Sequence, residues 1–149
     1  MVRKILKHPD ALLYEVSHEV DTSSKDLKQL IRDMIDTMRH NKGVGLAAPQ
    51  IGELRRVIVW DTHYGMTRKL INPVIVGCSM DMTTTNEQCL SVPGVTKSKQ
   101  RPWRIMLKGF EFDFYDDRIF PIYSLPLSGL EATIVQHEID HLDGRTIAC

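Results

Sequence analysis

His137 and His141 stand four residues apart with Glu138 between them. Four residues of α-helix advance about 6 Å and rotate about 400°, so the two imidazoles lie one above the other on one face. That spacing lets both rings grip a single metal ion. Glu138 is about 100° further round the helix, able to lean over the ion's open side without ligating it. A carboxylate there can take a proton from a water and hand it to a leaving group. Two imidazoles do not close a site. The candidate third ligand is Cys89, a thiolate near the carboxylate of Glu87, in Asn86-Glu87-Gln88-Cys89-Leu90-Ser91-Val92-Pro93-Gly94. The Pro-Gly pair predicts a turn just after it. On these residues alone, a polar helix that repeats histidine, with an incidental cysteine, stays open as the bland reading.

A second stretch with chemical potential is Gly43-Val44-Gly45-Leu46-Ala47-Ala48-Pro49-Gln50-Ile51-Gly52. Every residue but Gln50 is small or apolar, and small residues let backbone approach a ligand or another chain closely. Gln50 alone offers a directed amide N–H, suited to a developing oxyanion. The competing reading is a Gly-rich turn packed under a sheet. The loop lacks the Lys-Ser/Thr ending of a phosphate loop, which argues against nucleotide binding.

These residues need elements to hold them. Residues 5–20 read as an extended arm with a turn at His8-Pro9-Asp10, and Ile5, Leu6, Leu12 and Leu13 are available to cover a core. Ser23 or Ser24 caps a helix whose Leu27, Leu30, Ile31, Met34, Ile35 and Met38 recur at helical spacing, and Gly43 stops it. Strands are expected over residues 56–61, 69–76 (bent or at an edge at Asn72-Pro73) and 82–85, then two more between 105 and 123, turning at Asp116-Asp117. Trp103 and the phenylalanines are core candidates, and Cys78 a small buried hydrophobe. His8, His18 and His63 read as solvated or locally bonded. A capping box of Ser128 and Glu131 opens the last helix, and Gly144 closes it. Leu130, Thr133 and Ile134 precede His137 by seven, four and three residues, so they share its face and would wall an apolar pocket beside the ion.

A chain of 149 residues implies one domain, 1–149, with one core. The formal net charge is zero, so nothing points to a nucleic-acid groove or an anionic membrane surface. No apolar run reaches the roughly 20 residues that span a bilayer. The N-terminus lacks the apolar region of a secretory signal. Three cysteines make no disulfide framework, so a reducing, cytoplasmic compartment is expected.

The three stretches, in this order, resemble the signatures of the peptide deformylase family: Gly-x-Gly-Leu-Ala-Ala-x-Gln at 43–50, Glu-Gly-Cys-Leu-Ser at 87–91 and Gln-His-Glu-x-Asp-His at 136–141. The resemblance covers most of the chain. It implies an α+β fold, with mostly antiparallel, mixed sheets wrapped around the helix that carries the last motif. It implies one divalent metal ion held by Cys89, His137 and His141, usually Fe(II), with Zn, Ni or Co accepted in its place. The implied reaction is hydrolysis of the N-formyl group from the initiator methionine of a new polypeptide, giving formate and a free amine. Glu138 would move the proton, while the Gln50 amide and the Leu90 backbone N–H would hold the oxyanion. Val44, Leu130, Thr133, Ile134 and the His137 ring would take the methionine side chain, and the following peptide would pair with backbone near Gly43 and Gly45. Glu87 would form an ion pair with Arg101 that holds the Cys89 loop.

Two departures stand out. Gln88 occupies the glycine position of the second motif, where positive φ or close substrate approach could matter, and is expected to narrow the site or change substrate preference. The sequence also stops at Cys149, where many bacterial members carry a further segment, often a helix that docks on the ribosome. Docking by that route is not expected, although transient ribosome proximity is. A monomer is expected, and short forms of this kind fit a phage or organelle setting. Two other function classes compete: a zinc endopeptidase of the His-Glu-x-x-His kind, which usually draws its third ligand from downstream of the helix, and a non-catalytic module that grips peptide N-termini.

Overall fold

A computed structural model describes residues 1–148, so Cys149 lies outside the described residues. The periodic stretch predicted as a helix forms α1, Leu27–His40, and buries all six of the apolar residues named for it. β1 (Gly45–Ala47) and a 3-10 turn (Ala48–Ile51) follow, then β2 (Val57–Asp61), β3 (Thr67–Cys78), β4 (Met82–Cys89), β5 (Val92–Pro102), β6 (Arg104–Asp113), β7 (Arg118–Ser128) and α2 (Gly129–Leu142). β1, β2, β3, β6 and β7 make a five-stranded antiparallel sheet in that spatial order, and β4 and β5 make a separate two-stranded ribbon. The architecture is α+β, as expected. Every paired strand is antiparallel, and parallel pairing is confined to an isolated bridge between His18 and Arg55.

The sheet is covered on both faces. Val57, Val59, Ile71 and Phe112 pack with α1, whereas Ile58, Trp60, Leu70 and Leu107 pack with Ala132, Val135, Ile139 and Leu142 of α2. β2 therefore reads Val-Ile-Val-Trp with no polar alternation, because successive side chains enter opposite cores. The far side of α2 meets the ribbon, so α2 lies between sheet and ribbon. The N-terminal arm runs extended except for a 3-10 turn at Ala11–Tyr14. Its Leu6 N–H donates to the Gln50 carbonyl at 2.7 Å and its His8 N–H to the Ser91 carbonyl at 2.8 Å, so it ties the first motif to the second.

Several local expectations are corrected. Asp26, not a serine, caps α1, and it makes no side-chain cap bond because its carboxylate is paired with Arg55 at 3.0 Å. Lys42, not Gly43, takes the left-handed conformation after α1 (φ 57°); Gly43 N–H then bonds the Met38 carbonyl and Lys42 N–H the Arg39 carbonyl. Ser128 makes no cap bond, since Glu131 instead accepts from the Trp60 indole at 2.9 Å. Gly144 does end α2, at φ 76°. Asn72-Pro73 marks a bulge in an interior strand, where the Asn72 side chain bonds both the N–H and the carbonyl of Val20 at 2.8 and 2.9 Å. Cys78, at the end of β3, is exposed, and Trp103, between β5 and β6, is 45% exposed with its ring against Gly129 at the start of α2. Pro93 and Gly94 lie within β5 rather than in a turn.

Candidate metal centre and substrate cleft

α2 presents His137 and His141 on the face turned to the ribbon, with ring centroids 5.1 Å apart and steeply tilted. Cys89, the last residue of β4, arrives over them. One ligand atom from each of Cys89, His137 and His141 lies within 4.8 Å of the others, and Cys89 Sγ is 3.3 Å from His141 Nε2. Such separations suit a single ion bonded at about 2.0–2.3 Å to sulfur and nitrogen.

A buried network aims these groups. Glu87 accepts from Arg101 at 2.6 and 2.8 Å, from Thr85 Oγ1 at 2.5 Å and from His137 Nδ1 at 3.0 Å. In the neutral form a ligand needs, the last bond would hold the proton on Nδ1 and leave Nε2 for an ion. Arg101 also donates to Asp140 Oδ2 at 3.0 Å, so one guanidinium joins β4, β5 and α2. Burial opposes the charge on Glu87, yet Arg101, His137 and Thr85 hold its carboxyl well below the usual carboxylate range. The Glu87–Arg101 pair was expected. The place of Asp140 in it was not, although its position in the third motif was visible.

The three ionisable groups of α2 in this pocket are shifted in different directions. Burial disfavours charge on His137, but Cys89, Glu87 and Glu138 outweigh it and raise its pKa to about 10. His141, deeply buried and repelled by His137, Lys99 and Arg101, falls to about 3 and stays neutral, as a ligand must. Burial, with the charges of Asp140 and Glu87, lifts Glu138 to about 7 against the pull of His137 and Arg101. Glu138 Oε1 lies 3.8 Å from His137 Nε2, whereas Glu138 Oε2 and His141 Nδ1 are buried with no protein partner. The soft sulfur and two imidazoles and the unpartnered carboxyl oxygen fit a divalent transition metal beside a water.

A cleft of about 800 Å³ opens on this centre. Gly43, Val44 and Gly45 form part of its wall, Leu130, Thr133 and Ile134 of α2 another part, and Gln50, Cys89, Leu90, His137 and Glu138 its depth. Every predicted site residue lines it except His141, which is buried behind Cys89. Val44 and Leu130 are 57% and 59% exposed, so both offer apolar surface to the cleft. Gly45 has a steric reason to lack a side chain: a Cβ there would come within 2.9 Å of Ile134 and 3.1 Å of Glu138. β1 pairs only with β2, so no further strand pairs with its outer edge, although Ala47 N–H is taken by Gln50. Gln50 is buried, its Oε1 accepting from Ala47 N–H at 3.0 Å and its Nε2 donating to Ser91 Oγ at 3.1 Å and Cys89 Sγ at 3.6 Å. Ser91 was not singled out from sequence, and its hydroxyl helps aim the amide. Gln88 has no positive φ, so the expected backbone need for glycine is absent at this position.

Residues 2–148 match the family model described as polypeptide deformylase. The chain belongs to the polypeptide deformylase family. It is 41% identical over 146 residues to the peptide deformylase of Fusobacterium nucleatum, covering 97% of this chain and 80% of that one. It is 42% identical over 147 residues to the peptide deformylase of Dictyoglomus thermophilum, covering 99% and 91%. Its fold matches a crystal structure of a peptide deformylase from Legionella pneumophila with a TM-score of 0.86 at 37% identity, covering 99% of this chain and 84% of that one. No helix among the described residues is long and apolar enough to cross a membrane.

Proposed function

We propose that this member of the deformylase family removes the N-formyl group from the initiator methionine of newly made polypeptides, at one divalent ion held by Cys89, His137 and His141. The observation that carries the site assignment is the meeting of Cys89 with both histidines beside a buried, unpartnered carboxyl oxygen on Glu138. When bound, the ion, Fe(II) by preference with Zn, Ni or Co as substitutes, supplies Lewis acidity toward the formyl oxygen and toward water. Glu138 accepts the proton of the attacking water through Oε2 and returns it to the departing amine nitrogen as the C–N bond breaks, leaving formate and a free amine. Burial of Glu138 favours its taking up a proton, which is the first half of that transfer.

The Gln50 amide and the Leu90 backbone N–H donate to the carbonyl oxygen as negative charge builds on it. Val44, Leu130, Thr133 and Ile134, with the His137 ring, hold the methionine side chain. The peptide beyond methionine adds as a strand along the outer edge of β1. The whole is one catalytic domain, 1–149, working as a monomer on nascent chains in the cytoplasm or an organelle where formyl-methionine starts synthesis, in transient proximity to ribosomes. An endopeptidase reading draws less support: Asp143, downstream of the histidines, is engaged by Arg56 at 2.9 Å. A binding-only reading would leave Glu138 and Gln50 without a task. Metal analysis of anaerobically purified protein, followed by formate release from formyl-Met-Ala-Ser, tests the proposal. One ion per chain and turnover support it. Faster cleavage of an internal peptide bond, or no formate from the Fe(II)- or Ni-loaded protein, overturns it.

A further inference from the structure

Gln88 lies on β4 between the buried Glu87 and Cys89, yet it is itself exposed and is among the residues that line the cleft. Its Nε2 donates to Thr96 Oγ1 at 3.1 Å, across the ribbon. The β4–β5 register slips between the Glu87–Lys97 and Cys89–Val92 pairs, so β5 carries surplus residues there. Of this surplus, Pro93, Gly94 and Val95 line the cleft. The Gln88–Thr96 bond therefore links the carboxamide to the bulged segment of the cleft wall. One amide hydrogen is used in that bond. The second hydrogen and the Oε1 acceptor have no partner among the described residues.

A tethered carboxamide that still offers one donor and one acceptor is complementary to a peptide group, whatever side chain the peptide carries. Another part of the same wall is the outer edge of β1, which suits an extended chain. We propose that Gln88 is a specificity-determining residue that hydrogen-bonds the backbone of the residues following formyl-methionine, so that the cleft selects extended polypeptide over formyl-methionine itself. This rests on the deformylase reading above. Because the Thr96 bond already restricts the side chain, less rotamer freedom is lost when the peptide arrives. Binding of this kind is uniform between ground and transition state, so it acts on KM and leaves kcat in place.

The test compares the Fe(II)- or Ni-loaded wild type with Gln88→Ala and Thr96→Val, using formyl-Met-Ala-Ser and formyl-methionine. The expected result for Gln88→Ala is a roughly three- to tenfold rise in KM for the tripeptide, the scale of one neutral hydrogen bond. Its kcat, metal content and KM for formyl-methionine stay unchanged. Thr96→Val gives a smaller rise in the same direction. An unchanged or lowered KM for the tripeptide, or an equal loss on both substrates, overturns the proposal; a lowered value would mean that Gln88 only narrows the cleft. Calorimetric titration with Met-Ala-Ser and with methionine reads the same preference without turnover. Absence of turnover on both formyl substrates would thus remove the deformylase reading while this selection is still measured.

Discussion

α1 and α2 are both fourteen residues long and cover opposite faces of one sheet, but they bury different chemistry. α1 buries a stripe of leucine, isoleucine and methionine, and its two buried polar side chains are bonded: Asp33 to Gln29 and Arg3, Thr37 to the Arg3 N–H. α2 has Ala132, Val135, Ile139 and Leu142 on the sheet, while Gln136, Glu138 and His141 are also buried and two of its polar atoms lack protein partners. α1 is held chiefly by the burial of apolar residues of about the right size. α2 is half a core helix, and its other half carries the candidate metal ligands His137 and His141. Its polar half is unfavourable to bury by itself and is held by the Glu87–Arg101–Asp140 network. The candidate site sits where the packing is least self-sufficient.

The largest effects should separate the two roles within the polar half of α2. Glu138→Ala should keep the ion and lower kcat by about 10²–10⁴-fold or more, the scale of a lost proton-transfer group. Cys89→Ala should lose the ion itself. Elemental analysis alongside formate release checks both; a metal-free Glu138→Ala or a fully metallated Cys89→Ala would reverse the assignments. Next in size, Arg101→Ala leaves Glu87 and Asp140 buried without their cation. It should cost about 3–5 kcal/mol in urea unfolding and weaken metal affinity by about 10–100-fold.

On α1, Met34→Ala should cost about 2–5 kcal/mol of stability because Met34 is fully buried, with kcat and metal content of the folded protein unchanged. A metal defect in that variant would break the division between the helices. The smallest effect is electrostatic. Burial pushes the Asp33 carboxyl up, but the Met1 ammonium, Gln29 and Arg3 outweigh it and hold the pKa below its ordinary 3.8. A depressed folded value means stability that is present above the unfolded value and lost as pH falls through the folded one. The stability gap between wild type and Asp33→Asn should therefore shrink as pH drops from about 6 to about 3, measured as urea midpoints.

Sequence legibility followed how local each feature is. The stripe of α1 and the strands β2, β3, β6 and β7 could be read because each has a covered face that imposes a pattern. β5 could not: Thr96-Lys97-Ser98-Lys99-Gln100 belongs to a two-stranded ribbon, mostly exposed, with no apolar alternation to reveal it. The capping box at Ser128 failed because a distant indole, Trp60, took its glutamate. Asp140 and Ser91 stood in plain view inside the motifs, but their tasks depend on Arg101 and Gln50, which arrive from other elements.

The sequence by itself determined the stacking of His137 on His141 and the place of Glu138 beside them, since helix periodicity is a local property of the chain. It also determined the family, through three motifs in order. Only the tertiary structure decided that Cys89 reaches those rings, that Asp140 shares the guanidinium of Arg101 with Glu87, and that Gln88 faces the cleft while Cys78 and Trp103 face solvent. Those outcomes depend on ribbon register and on which faces the two helices cover, and both are set by contacts between residues far apart in sequence.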